Sequence, residues 1–181
     1  MKKQMILSGA AALVFAGVAG ADYKIDFEDF FAAGGDFTEL VDGSLVEGEL
    51  TGLCGDFSIT GATGTAWAND LAIIFGDNVF QAGGASDLVG AFGGTYLGQW
   101  GNGSSGVDGA MVTSPEGDIN FVDPVDVTGL SISLGNGWTG SDLSGGTWTG
   151  SITLKGITVV PAPGAIALLG LGGLVARRRR G

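Results

Sequence analysis

Between residues 22 and 160 the chain alternates apolar and polar positions with a period of two. In Leu130-Ser131-Ile132-Ser133-Leu134 every second residue is apolar, and in Trp148–Leu154 the register sets Trp148, Ile152 and Leu154 on one face. Such alternation predicts antiparallel strands with one buried and one wet face. Leu130, Ile132, Leu134, Ile152 and Leu154 should face the core, with Ser131, Ser133 and Thr153 turned away. The same reading predicts strands at Tyr23–Phe27, Ser44–Leu50, Asp56–Thr60, Leu71–Phe75, Thr95–Gln99, Ala110–Thr113, Ile119–Val122, Leu130–Leu134 and Thr147–Val160, the last broken at Gly156. Ala72-Ile73-Ile74-Phe75 is continuously apolar and suits a central strand. No useful length of helical periodicity occurs there, though Phe30–Leu40 could hold a turn of helix.

Glycine supplies 36 of the 181 residues, mixed with Ser, Thr, Asn and Asp between short apolar runs. That is turn punctuation, and Asn102-Gly103 and Asn136-Gly137 are turn dipeptides that favour positive φ. Many short strands and few helices predict an all-β domain over residues 22–160, an antiparallel β-sandwich or jelly roll. Trp67-Ala68-Asn69-Asp70-Leu71-Ala72-Ile73 and Gly146-Thr147-Trp148-Thr149-Gly150-Ser151-Ile152-Thr153-Leu154 resemble strands of jelly-roll accessory domains related to the proprotein-convertase P domain. That resemblance implies a sandwich and no particular activity.

Both ends depart from this pattern. Lys2 and Lys3 precede an apolar run, Met5–Val18, and then Ala19-Gly20-Ala21. This reads as a secretory signal peptide over residues 1–21, cleaved after the small residues Ala19 and Ala21 and handed to export machinery. At the other end Pro161-Ala162-Pro163 precedes an apolar stretch, Gly164–Ala176, and the cluster Arg177, Arg178, Arg179 and Arg180. As helix that stretch spans roughly 20 Å, against a bilayer core of roughly 30 Å that arginine stems help it to reach. Four arginines resist translocation, so the domain before Pro161 is expected outside the membrane.

Residues 161–181 resemble the sorting tail of the PEP-CTERM proteins of Gram-negative bacteria: Pro-x-Pro, a short transmembrane helix over 164–176 and a basic end at 177–180. Ala162 stands where that family usually has Glu. The resemblance implies processing near Pro161–Pro163 by an exosortase-type membrane protease. It also implies transient membrane anchorage and delivery to the cell surface or an extracellular polymer matrix.

Charge and composition then exclude whole classes of function. All 19 acidic residues lie between the two ends, where Lys24 and Lys155 are the only basic ones, leaving the domain at −17. A field of that sign repels nucleic acid and excludes it as a partner. Histidine is absent, which removes Ser-His and Cys-His dyads and His-ligated zinc. Cys54 is the only cysteine, so no intrachain disulfide exists, and it is expected as a small buried hydrophobe. Catalytic residues are therefore expected to be none.

Two binding chemistries remain. Calcium takes several oxygen ligands, and alternation puts Asp26 and Glu28 on one face, where a loop aspartate such as Asp70, Asp77 or Asp87 would have to join them. Saccharide could stack on tryptophan. The four tryptophans, with Tyr96, could supply flat platforms; Trp100 and Trp138 adjoin glycine-rich loops and are expected exposed, whereas Trp67 and Trp148 are expected in the core. The leading expectation is an exported, non-enzymatic surface or matrix protein with a structural or adhesive role. The alternative is a secreted carbohydrate-binding module that takes extracellular polysaccharide on the loop tryptophans.

Overall fold

Alternating β-branched, aromatic and polar residues do build strands, and bulges at Gly156 and at Asp29 let two of them run on. The computed structural model describes residues 22–77, 80–84, 94–113, 119–138 and 144–160. The expected leader (with Ala19 and Ala21) and the expected tail (Pro161, Ala162, Pro163, the 164–176 helix and Arg177 to Arg180) lie outside these residues. The described strands are β1 (Tyr23–Ala33), β2 (Phe37–Val41), β3 (Val46–Thr63), β4 (Leu71–Phe75), β5 (Phe80–Gly83), β6 (Thr95–Gly98), β7 (Met111–Val112), β8 (Ile119–Asp126), β9 (Ile132–Asn136) and β10 (Gly145–Val159). Single 3-10 turns occupy Gly43–Leu45 and Ala68–Asp70, and no helix among the described residues is long and apolar enough to cross a membrane.

The strands form two five-stranded sheets. One runs β1-β10-β3-β7 with β8 also on β3, and the other runs β2-β9-β4-β5-β6. Every pairing is antiparallel except that of β5 with β6. One apolar core joins them, with Phe57, Ile59, Trp148, Ile152 and Leu154 from the first sheet and Leu71, Ile73, Phe75, Ile132 and Leu134 from the second. The all-β expectation and its register therefore hold. Ile132, Leu134, Ile152 and Leu154 are fully buried, Leu130 packs against the core, and Ser131, Ser133 and Thr153 are only half-buried.

Several strand limits differ from expectation. Ser44 and Leu45 belong to the Gly43–Leu45 turn, and Val46–Leu50 and Asp56–Thr60 are one strand, β3, because Gly52 and Gly55 stay extended beneath crowded neighbours instead of turning. Phe30–Leu40 holds no helical turn: it ends β1 and starts β2. β5 was not apparent, since Phe80–Gly83 has no alternation to read. Gly156 does not break the last strand. It adopts φ +85 at the register shift between Lys155, paired with Gly52, and Ile157, paired with Gly48 at φ +114, and a Cβ on Gly156 would meet the Glu49 carbonyl oxygen at 2.5 Å, so the strand bulges and continues. Asn136-Gly137 is no positive-φ turn, because Asn136 closes β9 in extended form with its side chain buried.

A second bulge lies in edge strand β1. Ile25 and Phe27 point inward, the ladder shifts between Phe27 and Phe30 with Asp29 at φ +49, and inward facing resumes at Ala32. The shift turns Phe31 outward, where it is 64% exposed.

The strand directions give the molecule two poles. Asp22, Asp42–Leu45, Gly76, Val127–Leu130 and Val160 lie at one end, tied by bonds such as Val160 N–H to the Leu45 carbonyl (2.7 Å) and Gly156 N–H to the Asp22 carboxylate (3.4 Å). The β1–β2 and β3–β4 connections, the end of β9 and the start of β10 lie at the other, with Gly84 and the 101–110 loop.

Candidate binding site at the loop pole

Two tryptophans fix this pole from below. The Trp148 indole N–H donates to the Ala68 carbonyl (3.0 Å) and the Trp100 indole N–H to the Leu71 carbonyl (2.7 Å). Both rings are essentially fully buried. Together they bracket the Ala68–Asp70 turn, whose Ala68 and Asn69 N–H groups reach the Ser105 and Gly103 carbonyls at 2.9 and 3.1 Å. The Asp70 carboxylate closes the turn by accepting the Trp67 N–H at 2.7 Å.

The turn presents Trp67 to solvent. Ala66 and Ala68 point inward and Trp67 between them points out, 47% exposed. Around it are Thr65, Asn69, Ser104 and Ser105, with Asn69 Nδ2 donating to the Ser104 hydroxyl at 3.0 Å. The Asp70 carbonyl accepts the Gly137 N–H (2.7 Å), and the Trp138 N–H bonds the Asn136 side-chain carbonyl (3.0 Å). Trp67 and Trp138 are thus carried on neighbouring backbone joined through Asp70. Gly84 packs against the same place: a Cβ on it would sit 3.1 Å from the Asp70 carbonyl oxygen and 3.5 Å from Gly137 Cα. The Tyr96 hydroxyl makes long bonds to the Gly84 carbonyl and to Gln99 Oε1, each 3.4 Å, and burial pushes its pKa up to about 12.

The tryptophan expectations are corrected here. Trp100 is 1% exposed and cannot be a platform. Two glycines cut its slot: a Cβ on Gly55 would lie 3.0 Å from the ring and one on Gly83 2.4 Å from Nε1, while Phe57 meets it edge-on at 5.4 Å. Trp67, expected in the core, is the exposed one. Trp148 is buried as expected, and Trp138 is half-buried. The only signal for Trp67 was the Ala-Trp-Ala alternation, which puts two small residues inside and the ring outside.

The remaining candidates lie elsewhere. Asp26 and Glu28 do share the exposed face of β1, but Asp26 is ion-paired with Lys24. Among the described residues no three His, Cys, Asp or Glu side chains converge. Asp87 lies outside the described residues, and Asp70 is committed to the Trp67 turn. Cys54 is half-buried, not buried, because it alternates with core residue Leu53 and so faces outward. At the tail pole an open depression of about 340 Å³ is lined by Asp42, Ser44, Asp77, Leu130 and Ser131. Hydrogen bonds from Ser44 hold the Asp42 carboxyl below its ordinary pKa, and those from Thr128 do the same for Asp126.

No family model, curated protein or solved structure matches the chain.

Proposed function

We propose that this is an exported β-sandwich of the jelly-roll kind, displayed at a bacterial surface or in its polymer matrix, with a structural or adhesive and non-catalytic role. The observation that carries the reading is the meeting of both ends of the domain at one pole. Asp22, next to the expected leader cleavage, bonds Gly156, and Val160, next to the expected Pro161–Pro163 processing segment, bonds Leu45. A domain held by such a tail would stand with its loop pole away from the membrane. Successive strands that repeatedly switch sheets support the jelly-roll assignment. The Pro-x-Pro, apolar and arginine segments support sorting by export machinery and an exosortase-type protease.

The test changes Arg177 to Arg180 together to serine and follows processing and surface exposure in a Gram-negative host that carries such a protease. Loss of the processed surface form is expected. Normal yield of that form from the variant would remove the tail from the mechanism.

A further inference from the structure

We propose that the loop pole binds a neutral polysaccharide, with Trp67 as the stacking platform. This deepens the display reading by naming what the outward pole holds. Trp67 leaves a large flat indole half in water, the kind of side chain that supplies a stacking face, and its backbone is held by the Asp70 carboxylate, which accepts the Trp67 N–H at 2.7 Å, and by the turn that Trp148 and Trp100 hold. A platform already ordered loses little freedom on binding.

A second, independent observation marks the same pole. Asn69 Oδ1, Asn136 Nδ2 and Trp138 Nε1 are shielded from solvent and lack hydrogen-bond partners, and Asn136 is fully buried. Buried polar atoms are almost always partnered. These atoms are closed to solvent, so a saccharide hydroxyl meets them only where the pole opens locally; they mark polar lining beneath the platform and not its contact surface.

Charge and surroundings select the ligand. The only cations between residues 22 and 160, Lys24 and Lys155, lie on strand segments toward the tail pole, so nothing here can hold a uronate or phosphate in a field of −17. Thr65, Asn69, Ser104 and Ser105 share this pole with Trp67, and Val107 of the same loop and Met111 are exposed apolar side chains there, a mixture of hydroxyl, amide and apolar groups rather than the continuous apolar surface of a protein interface.

The experiment is affinity electrophoresis of the full-length protein in gels containing neutral β-1,3-, β-1,4- or α-1,6-glucan, or alginate. At least one neutral glucan should retard the protein and alginate should not. Trp67→Ala should weaken that binding about tenfold or more, as loss of a central tryptophan does, with an unchanged melting temperature. Phe31→Ala, which removes an exposed ring on the sheet face, should leave it intact. Retardation by no neutral glucan, equal retardation by alginate, or equal loss in both variants would overturn the proposal. Sorting plays no part in this assay, so failure of the display reading would leave its result standing, and the reverse.

Discussion

The two poles are stabilised by different means. At the tail pole, acids beside tight turns bond their own backbone: Asp42 accepts from Ser44 N–H (2.8 Å) and Asp126 from Thr128 N–H (2.9 Å). These contacts span two residues and can form as soon as the local chain turns. At the loop pole, the Ala68–Asp70 turn depends on indoles 29 and 80 residues away in sequence. The tail pole has long-range ties as well, Val160 to Leu45 and Gly156 to Asp22, but its acid-capped turns make it a pole with local support of its own. Long-range anchoring makes one whose geometry is only as good as the packing beneath it, which suits a place where a surface ring must be held in position.

Trp148→Ala breaks the comparison most strongly. It empties a fully buried site and removes the bond to Ala68, with an expected loss of about 3–5 kcal/mol, read by denaturant melts. Hydrogen exchange should rise first around 66–70, not around 42–45. If both poles open together, the loop pole has no separate dependence on its indoles.

Trp100→Phe keeps most of the ring and leaves the buried Leu71 carbonyl without its donor, an expected cost of about 1–3 kcal/mol. The Trp67 environment should change with it, seen as a shift in tryptophan emission. An unchanged melt would mean that the slot between Gly55 and Gly83 holds the turn by shape alone.

The smallest effect is in pH. Asp42 and Asp126 have folded pKa values lowered by their hydrogen bonds, so their contribution is present above the unfolded value of 3.8 and fades as pH falls through the lowered one. Tyr96 is raised by burial to about 12, so its contribution is full below 10 and fades as pH rises from 10 toward 12. Acid should therefore loosen the tail pole, whereas alkali should loosen the loop pole through Tyr96 and the tail pole through Tyr23, whose pKa burial also raises. Melting curves of Asp42→Ala should converge on the parent in acid, and Tyr96→Phe should lose less stability than the parent in alkali. Convergence at the wrong end of the pH range would reverse the assignment.

What could be read from the residues alone was local. The register of Leu130–Leu134 and Trp148–Leu154, the central place of Leu71–Phe75 and the all-β class follow from period-two alternation, since one face of each strand must leave water. The net charge of the domain and the lack of histidine are likewise properties of composition. Tertiary structure decided which tryptophan is seen. Trp100 sits beside a Gly-Asn-Gly loop and looked exposed, but Gly55 and Gly83, 45 and 17 residues before it, make the slot that buries it. Phe31 would have faced the core had the β1 ladder not shifted at Asp29. Gly156 reads as a break and becomes a bulge because β3 runs past it, Gly52 pairing with Lys155 and Gly48 with Ile157. Each outcome depends on which distant residue arrives opposite, and alternation along one strand carries no information about its partner.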